Sequence, residues 1–168
     1  MINISGNEQT STRQLISPVL AGFCLAVMFL LGLLWPILPI LRFPFNLVGA
    51  LIGGTGLGIS LTAHRQFKKV GTTLYPFDKP EKLVTDGLFR YTRNPMYLGL
   101  IILLVGGWLL LGSLSPLAVV VAFVLMADRW YVVHEEQRLA AVFGKAYITY
   151  QARTPRWLWP LPGTRESK

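Results

Sequence analysis

Four long apolar runs, separated by polar stretches of unequal length, set out the plan of the chain. Pro18 to Leu41 carries no charged side chain and as a helix measures about 36 Å, enough to cross a hydrocarbon core with some tilt. Pro36 and Pro39 are expected to kink or fray its far end. Phe45 to Ala63 follows after a short connection, with Gly49/Gly53 and Gly54/Gly58 at the spacing that lets helix backbones approach closely. Gly53 to Gly58 superficially looks like a nucleotide-binding loop. It lacks the preceding strand and the placed acidic residue that such a loop needs, so helix packing is the better reading. Met96 to Leu111, a tight turn at Gly112-Ser113-Leu114-Ser115, and Pro116 to Val133 read as a close helical hairpin whose first limb is only about 24 Å long. The pattern predicts an all-α integral membrane protein, one membrane domain over residues 1–168 with four transmembrane helices and polar segments at 64–95 and 134–168.

Charge gives these helices a direction. Arg65, Lys68, Lys69, Lys79, Lys82, Arg90 and Arg93 follow the second run, and Arg138, Lys145, Arg153, Arg156, Arg165 and Lys168 follow the fourth. The opposite side holds Arg42 alone, so both basic regions and the N-terminus are expected in the cytoplasm. A net charge of +8 would suggest nucleic acid in a soluble protein, but here the cations flank apolar runs, which argues for a bilayer partner and against nucleic acid. The single cysteine, Cys24, excludes an internal disulfide and is read as a small packing residue. With Phe23 before it and an apolar run continuing past it, a cleaved signal peptide is not expected.

Most acidic residues gather on the same face: Asp78, Glu81, Asp86, Asp128, Glu135 and Glu136. Along a regular helix Asp128, Val132 and Glu135 share one face, and Arg129, Val133 and Glu136 the adjacent one. Ionisable groups at that depth either line a polar cavity or mark a helix emerging among headgroups, and the residues alone leave both open. Asn94 suits an N-cap and Pro95 a first helical turn, while Arg90 and Arg93 bracket the turn before them. Phe143 to Tyr150 and the Pro155-Arg156-Trp157 segment fit an interfacial helix with an aromatic anchor. His64 and His134 alone supply no metal-ligand set.

Arg93-Asn94-Pro95-Met96-Tyr97, a hydrophobic hairpin, Glu135-Glu136-Gln137-Arg138-Leu139, then Phe143-Gly144 and Tyr147 resemble, in order and spacing, the bipartite signature of the isoprenylcysteine carboxyl methyltransferases. These are integral membrane enzymes related to the phospholipid methyltransferases. The likeness runs from about Lys79 to Trp157. It implies S-adenosylmethionine as methyl donor, held in a cytoplasmic-face pocket between the loop before the third helix, the end of the fourth and the C-terminal segment. Arg90, Arg93, Asn94 and Tyr97 would form one wall, Glu135 and Glu136 would take the donor's ammonium or ribose, and Phe143 and Tyr147 would cover it with ring faces. Catalytic roles fall by the same analogy to Glu135, Arg153 and Arg156, the arginines orienting an anionic acceptor. Eukaryotic members usually have histidine where this chain has Asn94, and asparagine carries no proton at neutral pH. Asparagine is common there among bacterial relatives, so the resemblance implies a bacterial-type member, expected in the inner membrane, and supports methyl transfer to a hydrophobic, lipid-like acceptor better than it identifies that acceptor. Carboxyl methylation, phospholipid N-methylation and thiol S-methylation all stay open, as does a small four-helix transporter or a scaffold.

Overall fold

The computed structural model describes residues 8–69 and 83–158, with side chains from Pro18 onward. Lys79, Lys82, Asp78, Glu81, Arg165 and Lys168 lie outside the described residues. Six α-helices run in order: α1 (Glu8–Leu34), α2 (Val48–Lys69), α3 (Pro95–Leu111), α4 (Leu117–Met126), α5 (Val133–Phe143) and α6 (Lys145–Arg153). No strand occurs among the described residues; an isolated bridge joins Pro39 to Ser113. Among the described residues, two stretches are long and apolar enough to cross a membrane, Phe45–Lys69 and Leu117–Phe143, and Pro18–Leu34 and Pro95–Leu111 are shorter apolar helices.

Three helices share one core. Ala21, Cys24 and Met28 of α1 meet Leu100 and Leu104 of α3 and Val120 and Phe123 of α4, with Ala127 just beyond α4. Outward, Val19, Phe23, Phe29, Leu33 and Leu51 are exposed, an apolar surface that a water-soluble monomer rarely carries and a bilayer covers. Helix α1 starts at Glu8 and stops at Leu34, short of Leu41, because Trp35 precedes Pro36 and the residue before proline is pushed out of the helical region. The extended stretch beyond it folds back on the α3–α4 turn, where Ile40 N–H donates to the Gly112 carbonyl at 2.7 Å and Leu114 N–H to the Ile37 carbonyl at 2.8 Å.

Helix α2 packs on α3 through glycine. A Cβ at Gly49 would sit 2.5 Å from the Gly106 carbonyl oxygen, one at Gly56 2.6 Å from that of Gly99, and one at Gly99 2.5 Å from the Ser60 nitrogen. The two backbones therefore touch along the Gly49-Gly53-Gly56 face. Gly54 and Gly58, paired with equal weight by spacing alone, face open space. The register follows from Gly49, Gly53 and Gly56 lying on one helical face, whereas Gly54 and Gly58 lie off it.

The fourth apolar run does not end where the polar residues begin. Helix α4 passes through a π-helical turn, Ala127–Val132, straight into α5, so one rod carries Asp128, Glu135 and Glu136. A π turn inserts one residue into the helical repeat, and such turns concentrate at functional sites.

Candidate active site

The polar loop before α3 is anchored first. Gly87, at φ +63°, opens the 3-10 turn Gly87–Arg90; a side chain there would meet the Gln66 amide. Leu88 N–H donates to Gln66 Oε1 at 3.1 Å, and the Tyr150 hydroxyl donates to the Phe89 carbonyl at 2.6 Å. These bonds tie the loop to α2 on one side and to α6 on the other. Pro95 then fills the first turn of α3, and Asn94 occupies the N-cap with no side-chain bond to its own helix. Its Nδ2 donates instead to the Arg156 carbonyl at 3.3 Å.

That bond belongs to a set that straps the C-terminal segment across the loop. Thr92 Oγ1 donates to the Arg156 carbonyl at 2.7 Å and accepts from Asn94 N–H at 3.2 Å, while Arg93 N–H donates to the Pro155 carbonyl at 3.0 Å. Thr92, Asn94 and Thr154 are buried, so these polar groups satisfy one another away from water.

Charge completes the strap. Glu136, 9% exposed at its side chain, lies between two arginines: Oε1 is 3.0 Å from Arg93 Nη2, and Oε2 is 2.7 Å from Arg156 Nη2. Arg156 also reaches Glu136 Oε1 through Nε at 3.3 Å, a two-pronged grip suited to its planar fork. Its Nη1 turns to Asp128 Oδ1 at 3.3 Å, and the same oxygen accepts from Trp157 Nε1 at 2.9 Å. Arg93 Nη1 donates to the Gln151 carbonyl at 3.2 Å, while its buried Nε has no partner among the described residues. The Glu136 hydrogen bond raises the Arg156 pKa above its usual range, so this cation stays charged at every physiological pH.

Two cavities meet at this point. One, about 480 Å3, is lined by Phe89, Phe143, Tyr147, Tyr150 and Leu139 together with Arg93, Asn94, Glu135 and Glu136. The other, about 650 Å3 with its open mouth included, runs between Pro18, Ser60, Met96, Tyr97 and Leu100, and apolar atoms dominate the walls of both. Arg93, Asn94 and Glu135, with Phe67 and Phe89, line both. Tyr97 donates to the Glu135 carboxylate and stacks on Tyr131, ring centroids 6.4 Å apart. Burial, reinforced by the Glu136 charge, pushes the Tyr147 hydroxyl up to about 12, and burial likewise raises Tyr150. Both are therefore neutral hydrogen-bond donors at physiological pH.

The residues singled out from sequence divide by place. Arg93, Asn94, Glu135, Glu136, Phe143 and Tyr147 surround the first cavity, Tyr97 lines the second, and Arg156 braces Glu136. Arg90 and Arg153 do not join them. They line a separate open groove with Thr85, Asp86 and Thr149, on the far side of Tyr150. Sequence reasoning passed over Thr92 and Gln151 and read Trp157 only as part of an aromatic anchor; their roles depend on contacts across 58 to 64 residues for the first two and 29 for the third. Asp128 it left undecided. His134 lies on the helix surface, Nδ1 2.6 Å from the Trp130 carbonyl oxygen.

The chain is 32% identical over 87 residues to a protein-S-isoprenylcysteine O-methyltransferase of Schizosaccharomyces pombe, covering 51% of this chain and 36% of that protein. It is 33% identical over 100 residues to protein-S-isoprenylcysteine O-methyltransferase B of Arabidopsis thaliana, covering 56% of this chain and 47% of that protein. The chain thus spans less than half the length of either relative. No solved structure gives a significant match. The phospholipid methyltransferase family model matches residues 45–146, from the start of the glycine-packed helix pair into α6, and the chain belongs to that family.

Proposed function

We propose that this chain is an integral membrane methyltransferase that moves the methyl group of S-adenosylmethionine to a hydrophobic, lipid-like acceptor; the relatives it resembles are named as protein-S-isoprenylcysteine O-methyltransferases. One observation carries the reading: two adjoining cavities, each walled mainly by apolar and aromatic side chains, share Arg93, Asn94 and Glu135. Transfer between a charged donor and a greasy acceptor needs two compartments joined at one polar point.

The residues present fit the donor. The first cavity's walls combine aromatic faces with a buried guanidinium nitrogen lacking a partner among the described residues. Arg93 Nε would take the carboxylate, Glu135 the ammonium, and Phe143 and Tyr147 would lie against the adenine or the sulfonium. Glu136, spent on two arginines, would shape the wall and leave the ammonium to Glu135. The donor supplies an already electrophilic methyl, so the chain's task is alignment and the exclusion of water. Asn94, pinned to the Arg156 carbonyl, would hold the junction open between the cavities.

Around this site we place four membrane crossings, α1, α2, α3 and the α4–α5 rod, with both termini cytoplasmic in a bacterial inner membrane. Arg153, in its groove beyond Tyr150, would meet an acceptor only through an anionic group outside both cavities. A second reading, amine or thiol methylation, is favoured by Glu135, because a carboxylate at the junction can accept the proton such acceptors must lose. Calorimetry of S-adenosylmethionine against purified protein in detergent tests the proposal, with a nicotinamide dinucleotide as control. Saturable binding lost in Glu135→Gln supports it and opens an acceptor screen with a prenylcysteine, a phosphatidylethanolamine and an alkyl thiol. A folded protein that binds no donor sinks it.

A further inference from the structure

Resting on that reading, we infer that Asp128 is a positioning residue for the methyl donor. It acts through a relay, Asp128–Arg156–Glu136–Arg93, and touches neither cavity itself. Asp128 lies in the π turn, and neither cavity's lining includes it. It is bound at one oxygen by Arg156 Nη1 at 3.3 Å and Trp157 Nε1 at 2.9 Å. Arg156 cannot rotate freely once Nη1 is held, so its Nε and Nη2 face Glu136 as a fork. Glu136, gripped from that side, presents Oε1 to Arg93 Nη2 at 3.0 Å. Arg93 is the one member that lines both cavities, and its Nε remains unbonded among the described residues. Two carboxylates and two guanidiniums alternate, so the relay is neutral as a whole, and each cation is oriented from behind by the next anion. Without Asp128, Arg156 can swing toward either oxygen of Glu136, and the angle at which Arg93 faces the junction loosens with it.

The same four groups explain why the C-terminal segment crosses the site. Arg156 contributes its side chain to the relay and its carbonyl to Thr92 and Asn94, so one residue registers the strap against both the rod and the loop.

The test uses full-length protein in detergent micelles, with S-adenosylmethionine as the calorimetric probe and a nitrogen-15 arginine spectrum in which Arg93 Nε is assigned from Arg93→Lys. Asp128→Ala is expected to weaken donor binding about fivefold, a typical coupling between linked sites. It is also expected to move the Arg93 Nε resonance, although Asp128 and Arg93 share no contact. Asp128→Asn, which keeps an acceptor oxygen, should recover part of both effects. Trp157→Phe, which removes one donor to Asp128 without changing charge, should move both readouts in the same direction by less, and it serves if Asp128→Ala fails to fold. An unmoved Arg93 resonance, or a moved one with donor affinity intact, overturns the relay. A folded wild-type protein that binds no donor sinks the functional reading instead, while the resonance still reports whether the relay transmits.

Discussion

At the scale of single residues, the two neighbouring glutamates have opposite situations. Glu136 is buried between Arg93 and Arg156, and removing it takes the carboxylate from Arg93 and leaves Arg156 held by Asp128. Breaking a buried pair in this way costs about 3–5 kcal/mol. Because Arg156 is partly solvated, the lower end applies. Glu136→Ala should accordingly lower the thermal midpoint in detergent clearly, whereas Glu135→Gln should leave it nearly unchanged and act on donor affinity. Tyr97→Phe keeps the ring stack on Tyr131 but deletes the hydroxyl that bonds Glu135, and a loss of donor affinity of about 1 kcal/mol is expected by calorimetry. Tyr147 makes a pH statement. Its hydroxyl ionises near 12 in the folded protein against about 10 when unfolded, so the folded state binds the proton more tightly. The stability this contributes is whole below pH of about 10 and is lost as pH rises through about 12. Tyrosinate absorbance followed against pH should show a component that ionises later than free tyrosine, and Tyr147→Phe should shrink it to the share left by Tyr150. The spacing of Arg93, Asn94, Tyr97, Glu135, Glu136, Phe143 and Tyr147 was legible in the sequence because it resembles a family pattern. Which glutamate is neutralised was not legible, since that depends on Arg156 arriving from 20 residues away.

At the scale of elements, close approach of α2 and α3 rests on glycine. Gly56 and Gly106 lie against the partner backbone, where no flexible side chain can yield, so Gly56→Ala or Gly106→Ala should destabilise by about 1–3 kcal/mol. Gly54→Ala, with nothing within 4 Å, should be neutral or stabilising by up to about 1 kcal/mol through its better helix propensity. Thermal midpoints of the three variants, compared in one detergent, check the contrast. The π turn carries a second lesson. Regular helical periodicity groups Asp128 with Glu135, seven residues on. With one residue inserted at Ala127–Val132, Arg156 bridges Asp128 to Glu136 instead. Hydrophobic patterning could not reveal this, because a π turn leaves the apolar run unbroken and depends on how the rod packs.

At the scale of the whole molecule, the basic residues Arg65, Lys68, Lys69, Arg90, Arg93, Arg138, Lys145, Arg153 and Arg156 belong to polar stretches on one side of the proposed topology, against Arg42 on the other. In a Cys24→Ala background, single cysteines placed at Lys145 and Arg65 should react with an impermeant maleimide only after the cytoplasmic side is opened. One placed at Arg42 should react in intact cells. Reversed labelling would overturn the proposed orientation.

Sequence by itself determined that the chain is all-helical and apolar enough for a membrane, because unbroken hydrophobic runs and flanking cations answer to the solvent and need no neighbour to interpret them. It also carried the family pattern, since that pattern is linear. Tertiary structure alone decided that the stretch after α1 folds back on the α3–α4 turn, which glycines face α3, that the α4–α5 rod continues through a π turn, and that Arg90 and Arg153 stand apart from Arg93. It also decided that Asn94 caps no helix with its side chain but binds the Arg156 carbonyl. Each of these outcomes turns on contacts between residues distant in the chain, and side-chain hydrogen bonds of that kind form only when packing has already brought their partners within 3 Å or so.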